Sequence, residues 1–338
     1  MCGGVRGAAP SDAQDHSAGG QFVSVCVRGR GACARFDGAF TRVRDNGGLT
    51  QPSGRATQVD PLTILQTTVL GIVEGLTEFL PISSTGHLII ASDLIGFAGS
   101  PGADTFLVAI QSGAILAVCW YYRARILSIL RGLFSVPRER RLAVNTVVGF
   151  LPAAVIGVLI AGFIKRHLFN PVTVAIALVA GGLIILWVER RAEGSAKPPR
   201  VAQMDDLTWR DALAVGFMQS LAMIPGTSRS GATIIGGMVL GLSRRAATEF
   251  SFFLAIPTIF GATVYDLWKA RDILDAVNLP ELALGTAVSF VSALAVVHWL
   301  LRFVARHDFK GFGWYRIAFG LVILVTWLFG WVDWSALA

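Results

Sequence analysis

Two apolar segments of this chain are each interrupted midway by a polar motif, and the two interruptions follow one pattern. The first runs Leu70-Gly-Ile-Val-Glu-Gly-Leu-Thr-Glu-Phe-Leu-Pro-Ile-Ser-Ser-Thr-Gly-His87, and the second Val215-Gly-Phe-Met-Gln-Ser-Leu-Ala-Met-Ile-Pro-Gly-Thr-Ser-Arg-Ser-Gly-Ala232. Gly71 aligns with Gly216, Glu74 with Gln219, Leu76 with Leu221 and Gly86 with Gly231, all at one spacing. The match continues, slightly shifted, from Ala109-Ile110 to Ala255-Ile256. A duplicated unit restricts the fold to two related halves. Charge is costly in lipid, so two carboxylates, a His and an Arg gathered in such sequence mark a functional site.

The surrounding sequence is of membrane grade. Of 338 residues, 54% are hydrophobic and 15% charged, outside the range of an ordinary soluble domain. Six runs, near 106–122, 142–163, 172–188, 248–268, 282–303 and 314–333, approach the length of about 20 residues that crosses a bilayer. Two weaker pairs, 61–79 with 87–97 and 210–224 with 231–242, are broken by Pro, Gly and Ser at the motifs. These read as half-helices that enter the membrane and turn back, which requires their loops to be buried in protein or to line a wet cavity. The expected fold is an all-α polytopic membrane protein with inverted-topology repeats, six full spans and two re-entrant broken-helix pairs.

A net charge of +7 raises the question of nucleic acid, but the charge sits in the wrong places. Arg123, Arg125, Arg131, Arg138, Arg140 and Arg141 crowd one short connection that also holds Glu139, and Arg190, Arg191, Lys197 and Arg200 crowd another. Short basic loops hold membrane orientation, and no basic-aromatic platform accompanies them. With these loops in the cytoplasm, the first broken pair enters from outside and the second from inside. The repeats are then inverted, and their motif loops face each other near the midplane, where inverted-repeat proteins place substrate sites.

Residues 1–58 do not belong to this pattern. They are rich in Gly, Ala, Ser and Arg, lack a signal-peptide apolar region, and read as a disordered extension or a start assigned too far upstream. The remaining 59–336 read as one integral membrane domain with repeat halves near 61–163 and 210–303. Three of the four cysteines lie in the extension and Cys119 sits alone in a span, so neither a disulfide framework nor a zinc spacing is present.

The motifs themselves carry recognisable chemistry. Glu74 and Glu78 stand at i and i+4, on one face of a helix. Two carboxylates this close repel; oxygen-only ligation of a hard cation, Mg²⁺ or Ca²⁺, removes the conflict, and so does protonation of one Glu with both hydrogen-bonded to helix ends. Pro81 ends the first half-helix, and Ser83-Ser84-Thr85-Gly86 leads into the next, a capped helix N-terminus suited to phosphate. His87 follows as a general acid or base. The second copy, Thr227-Ser228-Arg229-Ser230-Gly231-Ala232-Thr233, adds a guanidinium whose planar fork suits phosphate oxygens or pairs with Glu74 or Glu78.

Glu-Gly-Leu-Thr-Glu-Phe-Leu-Pro-Ile-Ser-Ser-Thr-Gly-His and Pro-Gly-Thr-Ser-Arg-Ser-Gly-Ala-Thr resemble the two signatures of the bacterial undecaprenyl-diphosphatase, or bacitracin-resistance, family, over about 60–333. The resemblance implies a multi-pass enzyme of the bacterial inner membrane that hydrolyses undecaprenyl diphosphate to the monophosphate. It also implies a divalent-cation requirement, recycling of the carrier lipid for peptidoglycan, and bacitracin resistance, since bacitracin competes for the polyprenyl diphosphate. By resemblance, Glu74 and Glu78 are the acidic pair, Ser84 the nucleophile, His87 the catalytic His and Arg229 the phosphate-binding Arg, with Ser83, Thr85, Ser228, Ser230 and Thr233 as supporting phosphate-binding residues. One departure is Phe106-Leu107, where the family often has Phe-Glu.

Within this reading Ser84 attacks and His87 takes its proton, with His87 itself or water as the competing nucleophile. The side of cavity access and the oligomeric state, a homodimer included, stay open at this level. The rival from another class is an inverted-repeat transporter or lipid flippase that performs no hydrolysis.

Overall fold

The computed structural model of the chain describes residues 60–98, 102–194, 198–269 and 279–332; the expectation for 1–58 lies outside them. The described residues form eleven α-helices and no strand, with one isolated β-bridge between Val201 and Leu242. Six helices are long and apolar enough to cross a membrane. These are α3 (Ala103–Tyr121), α5 (Pro137–His167), α6 (Pro171–Glu193), α9 (Arg244–Lys269), α10 (Leu279–Val304) and α11 (Lys310–Leu328). Val158, Leu159, Leu183, Leu321 and Leu328 remain exposed on their outer faces, as a lipid-facing surface requires. The protein is an all-α, multi-pass membrane protein.

The two weaker pairs fold as short helices joined at the motifs. α1 (Pro61–Thr77) and α2 (Ser84–Leu94) form the first, and α7 (Trp209–Ser220) and α8 (Arg229–Val239) the second. Local chemistry sets their starts. Pro61 opens α1 where its missing N–H is not needed. Thr208 and Asp211 form a reciprocal capping box at the start of α7.

Packing exchanges the two copies. α1 and α3 pack on α10, whereas α7 and α9 pack on α5, and α6 pairs with α11. The contact is backbone-close at equivalent glycines. A Cβ on Gly71 would lie 2.7 Å from the Gly285 carbonyl oxygen, and one on Gly216 would lie 2.2 Å from that of Gly149. Small residues let helices approach this closely without the hydrophobic drive that water provides.

One expectation is corrected. Part of the basic 122–141 connection is a helix, α4 (Arg123–Gly132). Ile126 and Ile129 pack on the main core while Leu127 and Leu130 face outward, so apolar residues at helical spacing outweigh the arginines between them. Asp205, from outside that connection, joins Glu139 as an acidic partner of its arginines. Arg125 donates to Glu139 at 2.6 Å and to Asp205 at 2.5 Å, and Arg138 pairs with Asp205 as well.

Candidate active site

The two motif loops touch. Ser230, fully buried, donates its hydroxyl to the Leu80 carbonyl at 2.7 Å, so the second loop is bonded to the first. Across the same junction Arg229 Nη2 lies 3.2 Å from Glu78 Oε1. Both side chains are about nine-tenths buried, with 11% and 9% exposure. Arg229 also donates to the Ser251 carbonyl of α9 at 3.0 Å and lies over the Phe79 ring, 5.5 Å from its centroid. Its Nε is buried without a partner. That N–H is a donor left over for an anion.

Ser84 occupies the first position of α2 and donates to Glu78 Oε2 at 2.6 Å. Glu78 therefore serves Arg229 with one oxygen and Ser84 with the other. One turn earlier on α1, Glu74 is completely buried, and both of its carboxylate oxygens lack a hydrogen-bond partner. Glu78 and Arg229 are the charges that act on it. A buried carboxylate without donors costs several kcal/mol unless something positive completes it. Two free oxygens on Glu74 beside the Glu78 carboxylate suit a hard divalent cation, so the donor set fits the expected Mg²⁺ or Ca²⁺. Among the described residues no third His, Cys, Asp or Glu joins them. The remaining ligands would be substrate and water oxygens.

The structure pairs His87 differently from the sequence reading. Its Nδ1 lies 2.7 Å from the Ser83 carbonyl and its Nε2 lies 2.6 Å from the Tyr315 hydroxyl. Neither nitrogen is bonded to Ser84, whose acceptor is Glu78. Spacing of three on α2 leaves Ser84 and His87 on neighbouring parts of one helix face, and what separates them is the bonds each makes, Ser84 to Glu78 and His87 to Ser83 and Tyr315.

The two loops share an unusual backbone. Ser83 and Ser228 stand at equivalent positions, with φ of 73° and 71°, and are the non-glycine residues at positive φ among those described. Their side chains differ in duty. Ser228 Oγ accepts from the Gly231 N–H at 3.1 Å and caps α8, whereas Ser83 makes no side-chain cap for α2. The expected hydroxyl cap exists in one copy only. Thr233 bonds the Arg229 carbonyl at 2.9 Å and the Ser251 hydroxyl at 2.6 Å, so it holds the base of the arginine. Thr85 is exposed in the first turn of α2.

Sequence reasoning missed Arg316. It is 1% exposed on α11 and donates only to carbonyls, with no carboxylate among its bonded partners. Nη1 reaches Pro81 at 3.2 Å and Thr227 at 2.9 Å, and Nη2 reaches Gly226 and Ala177 at 3.0 Å each. One guanidinium thus ties both motif loops to α6. Room for it comes from Gly181, where a Cβ would sit 2.2 Å from Nη2. The signal was available, since a lone Arg inside an apolar span is itself a site marker. Tyr315, Phe319 and Ser251 carried no comparable signal.

The sequence comparisons agree in outline. Residues 67–322 match the family model described as bacitracin resistance protein BacA. The chain is 57% identical over 277 residues to an undecaprenyl-diphosphatase of Pseudomonas putida (strain W619), covering 82% of this chain and 99% of that protein. It is 55% identical over 278 residues to an undecaprenyl-diphosphatase of Dechloromonas aromatica (strain RCB), covering 82% and 100%. Undecaprenyl-diphosphatase 2 of Rhodospirillum rubrum is 54% identical over 278 residues, covering 82% of this chain and 100% of its own length.

Proposed function

The chain belongs to the BacA bacitracin-resistance family, and from that premise we propose that it hydrolyses undecaprenyl diphosphate to undecaprenyl phosphate and inorganic phosphate. The observation that carries the reading is the junction of Ser84, Glu78 and Arg229: a hydroxyl bonded to a carboxylate that is itself held by a partly unpaired guanidinium. A transporter needs midplane charges, but a hydroxyl poised against a buried base is the requirement of a nucleophile.

In the proposed reaction the terminal phosphoryl group enters beside Arg229, whose free Nε–H and forked nitrogens take its oxygens. Ser84 Oγ attacks phosphorus and passes its proton to Glu78 Oε2, while the P–O bond to the lipid monophosphate breaks. Water then releases inorganic phosphate from Ser84, with His87 handling that proton and the serine recovering its own. Positioning and charge neutralisation supply most of the acceleration in such transfers. Mg²⁺ or Ca²⁺, held by Glu74 and Glu78, would neutralise charge on the diphosphate. Glu78 replaces His87 as the group that takes the Ser84 proton, because that is the hydrogen bond present.

On this reading the protein works in the bacterial inner membrane, returns the carrier lipid to peptidoglycan synthesis, and opposes bacitracin by consuming the polyprenyl diphosphate for which the antibiotic competes. The deciding assay is phosphate release from undecaprenyl diphosphate by the purified protein in detergent, with Mg²⁺ or Ca²⁺ present. Release of phosphate, lost in Ser84→Ala, is expected. No release from folded protein with either cation would return the transporter reading to first place.

A further inference from the structure

His87 is held from three sides. The Ser83 carbonyl meets Nδ1 at 2.7 Å, the Tyr315 hydroxyl meets Nε2 at 2.6 Å, and the Phe319 ring stacks on the imidazole at 4.0 Å with planes 13° apart. A carbonyl only accepts, so Nδ1 carries a proton in either charge state of the ring. Nε2 is therefore the nitrogen that gains and loses a proton. Its partner is a hydroxyl, which donates to the bare nitrogen and accepts from the protonated one. The proton of the attacking water therefore reaches Nε2 by way of that hydroxyl, whose oxygen takes it as its own proton passes to the ring.

The geometry points to Tyr315 as a positioning residue that keeps the His87 ring in one orientation through both protonation states. A partner that could only donate would lose its bond when His87 charges, and one that could only accept would lose it when His87 is neutral. The ring would then keep the Ser83 bond and the Phe319 stack but lose the contact that fixes Nε2 on the second step of the reaction. Tyr315 sits next to Arg316 on α11, and Arg316 bonds carbonyls of both motif loops. The anchor that fixes the loops thus also fixes the hydroxyl relative to His87. The stacked pair Tyr315 and Phe319, one turn apart with centroids 5.8 Å from each other, stiffens the same face of α11.

This inference rests on the proposed proton role of His87, and the experiment separates the two. Full-length Tyr315→Phe, His87→Gln and the double variant are assayed in detergent on undecaprenyl diphosphate, with a thermal melt for each. Histidine-labelled ¹⁵N spectra are recorded for the wild type and each single variant, His87 being assigned by its loss in His87→Gln.

Tyr315→Phe is expected to lower kcat about 10- to 100-fold, less than the roughly 10²–10⁴-fold that an acid–base group itself supplies, with KM within about two-fold and the melt unchanged. It is also expected to move the His87 Nε2 resonance. In the His87→Gln background the same change is expected to cost nothing further, because the two residues act as a unit. Wild-type kcat in Tyr315→Phe, an unmoved Nε2 resonance, or an equal loss in the His87→Gln background would each overturn the positioning role. Full activity of His87→Gln would instead remove the proton role of His87, and the inference with it.

Discussion

Ser83 and Ser228 occupy equivalent positions of the two copies and adopt the same left-side backbone, φ 73° and 71°, immediately before α2 and α8. The strain is symmetric although the side-chain roles are not. A Val at either site adds a β-branch where even an unbranched side chain is crowded, and is expected to lower stability by about 1–3 kcal/mol. Gly should be tolerated at Ser83. At Ser228, Ala should cost about 1 kcal/mol through the lost cap, and at Ser83 much less. Apparent melting temperatures in detergent distinguish these outcomes.

Glu78 bonds Arg229 and Ser84 with different oxygens. Glu78→Gln keeps the shape but offers one carbonyl where two charged acceptors stood. Phosphate release is expected to fall about 10²-fold or more, with the melt shifted far less than the rate. Arg229→Lys should lose a comparable factor, since one ammonium cannot reach Glu78, the Ser251 carbonyl and phosphate together. Steady-state kinetics on both variants checks this, and a near-wild-type rate in either would remove that residue from the reaction.

Glu74 has no hydrogen-bond donors to lose. Glu74→Gln is therefore expected to leave the fold intact while raising the Mg²⁺ or Ca²⁺ concentration for half-maximal activity at least about 10-fold, because a charged ligand becomes neutral. Titration of EDTA-treated enzyme with each cation reads the effect. An unchanged cation curve would place the metal elsewhere.

Arg316 satisfies carbonyls of Pro81, Gly226 and Thr227 from the far side of both loops. Arg316→Met strands these acceptors in the interior and is expected to destabilise by about 3–5 kcal/mol, with activity lost in step. Arg316→Lys should recover only part of the stability, since an ammonium cannot spread over carbonyls on opposite sides. Melting and activity measured together test whether the loss is structural.

Gly216 approaches Gly149 across α7 and α5, where an added Cβ would meet the carbonyl at 2.2 Å. Gly216→Ala is expected to cost about 1–3 kcal/mol by forcing the helices apart. Gly157, whose Cβ would meet only the Met223 side chain at 3.6 Å, is the control at which Ala should be nearly neutral. Equal melts for the two variants would contradict the close α5–α7 contact.

The sequence contained most of the architecture because lipid imposes strict rules on it. Spans must be long and apolar, and the interruptions at Pro81 and Pro225-Gly226 could only be loops sheltered by protein. Charges in such sequence announced Glu74, Glu78, His87 and Arg229, and should have announced Arg316 as well. What hid Arg316 was its distance in sequence from both motifs, which left no local pattern to join. α4 was hidden by its arginines, which looked like a loop until Ile126 and Ile129 found a core to pack on.

By itself, then, the sequence determined which segments cross the membrane, where they break, and which polar groups had to be gathered at the breaks, since each of these follows from the cost of polar groups in lipid. Only the tertiary structure decided who bonds to whom. Glu78 rather than His87 receives Ser84, His87 turns to Tyr315 on a helix more than two hundred residues away, and Arg316 holds the loops that carry them all. Hydrogen bonds depend on direction over a few tenths of an ångström, and spacing along a chain does not specify direction between helices.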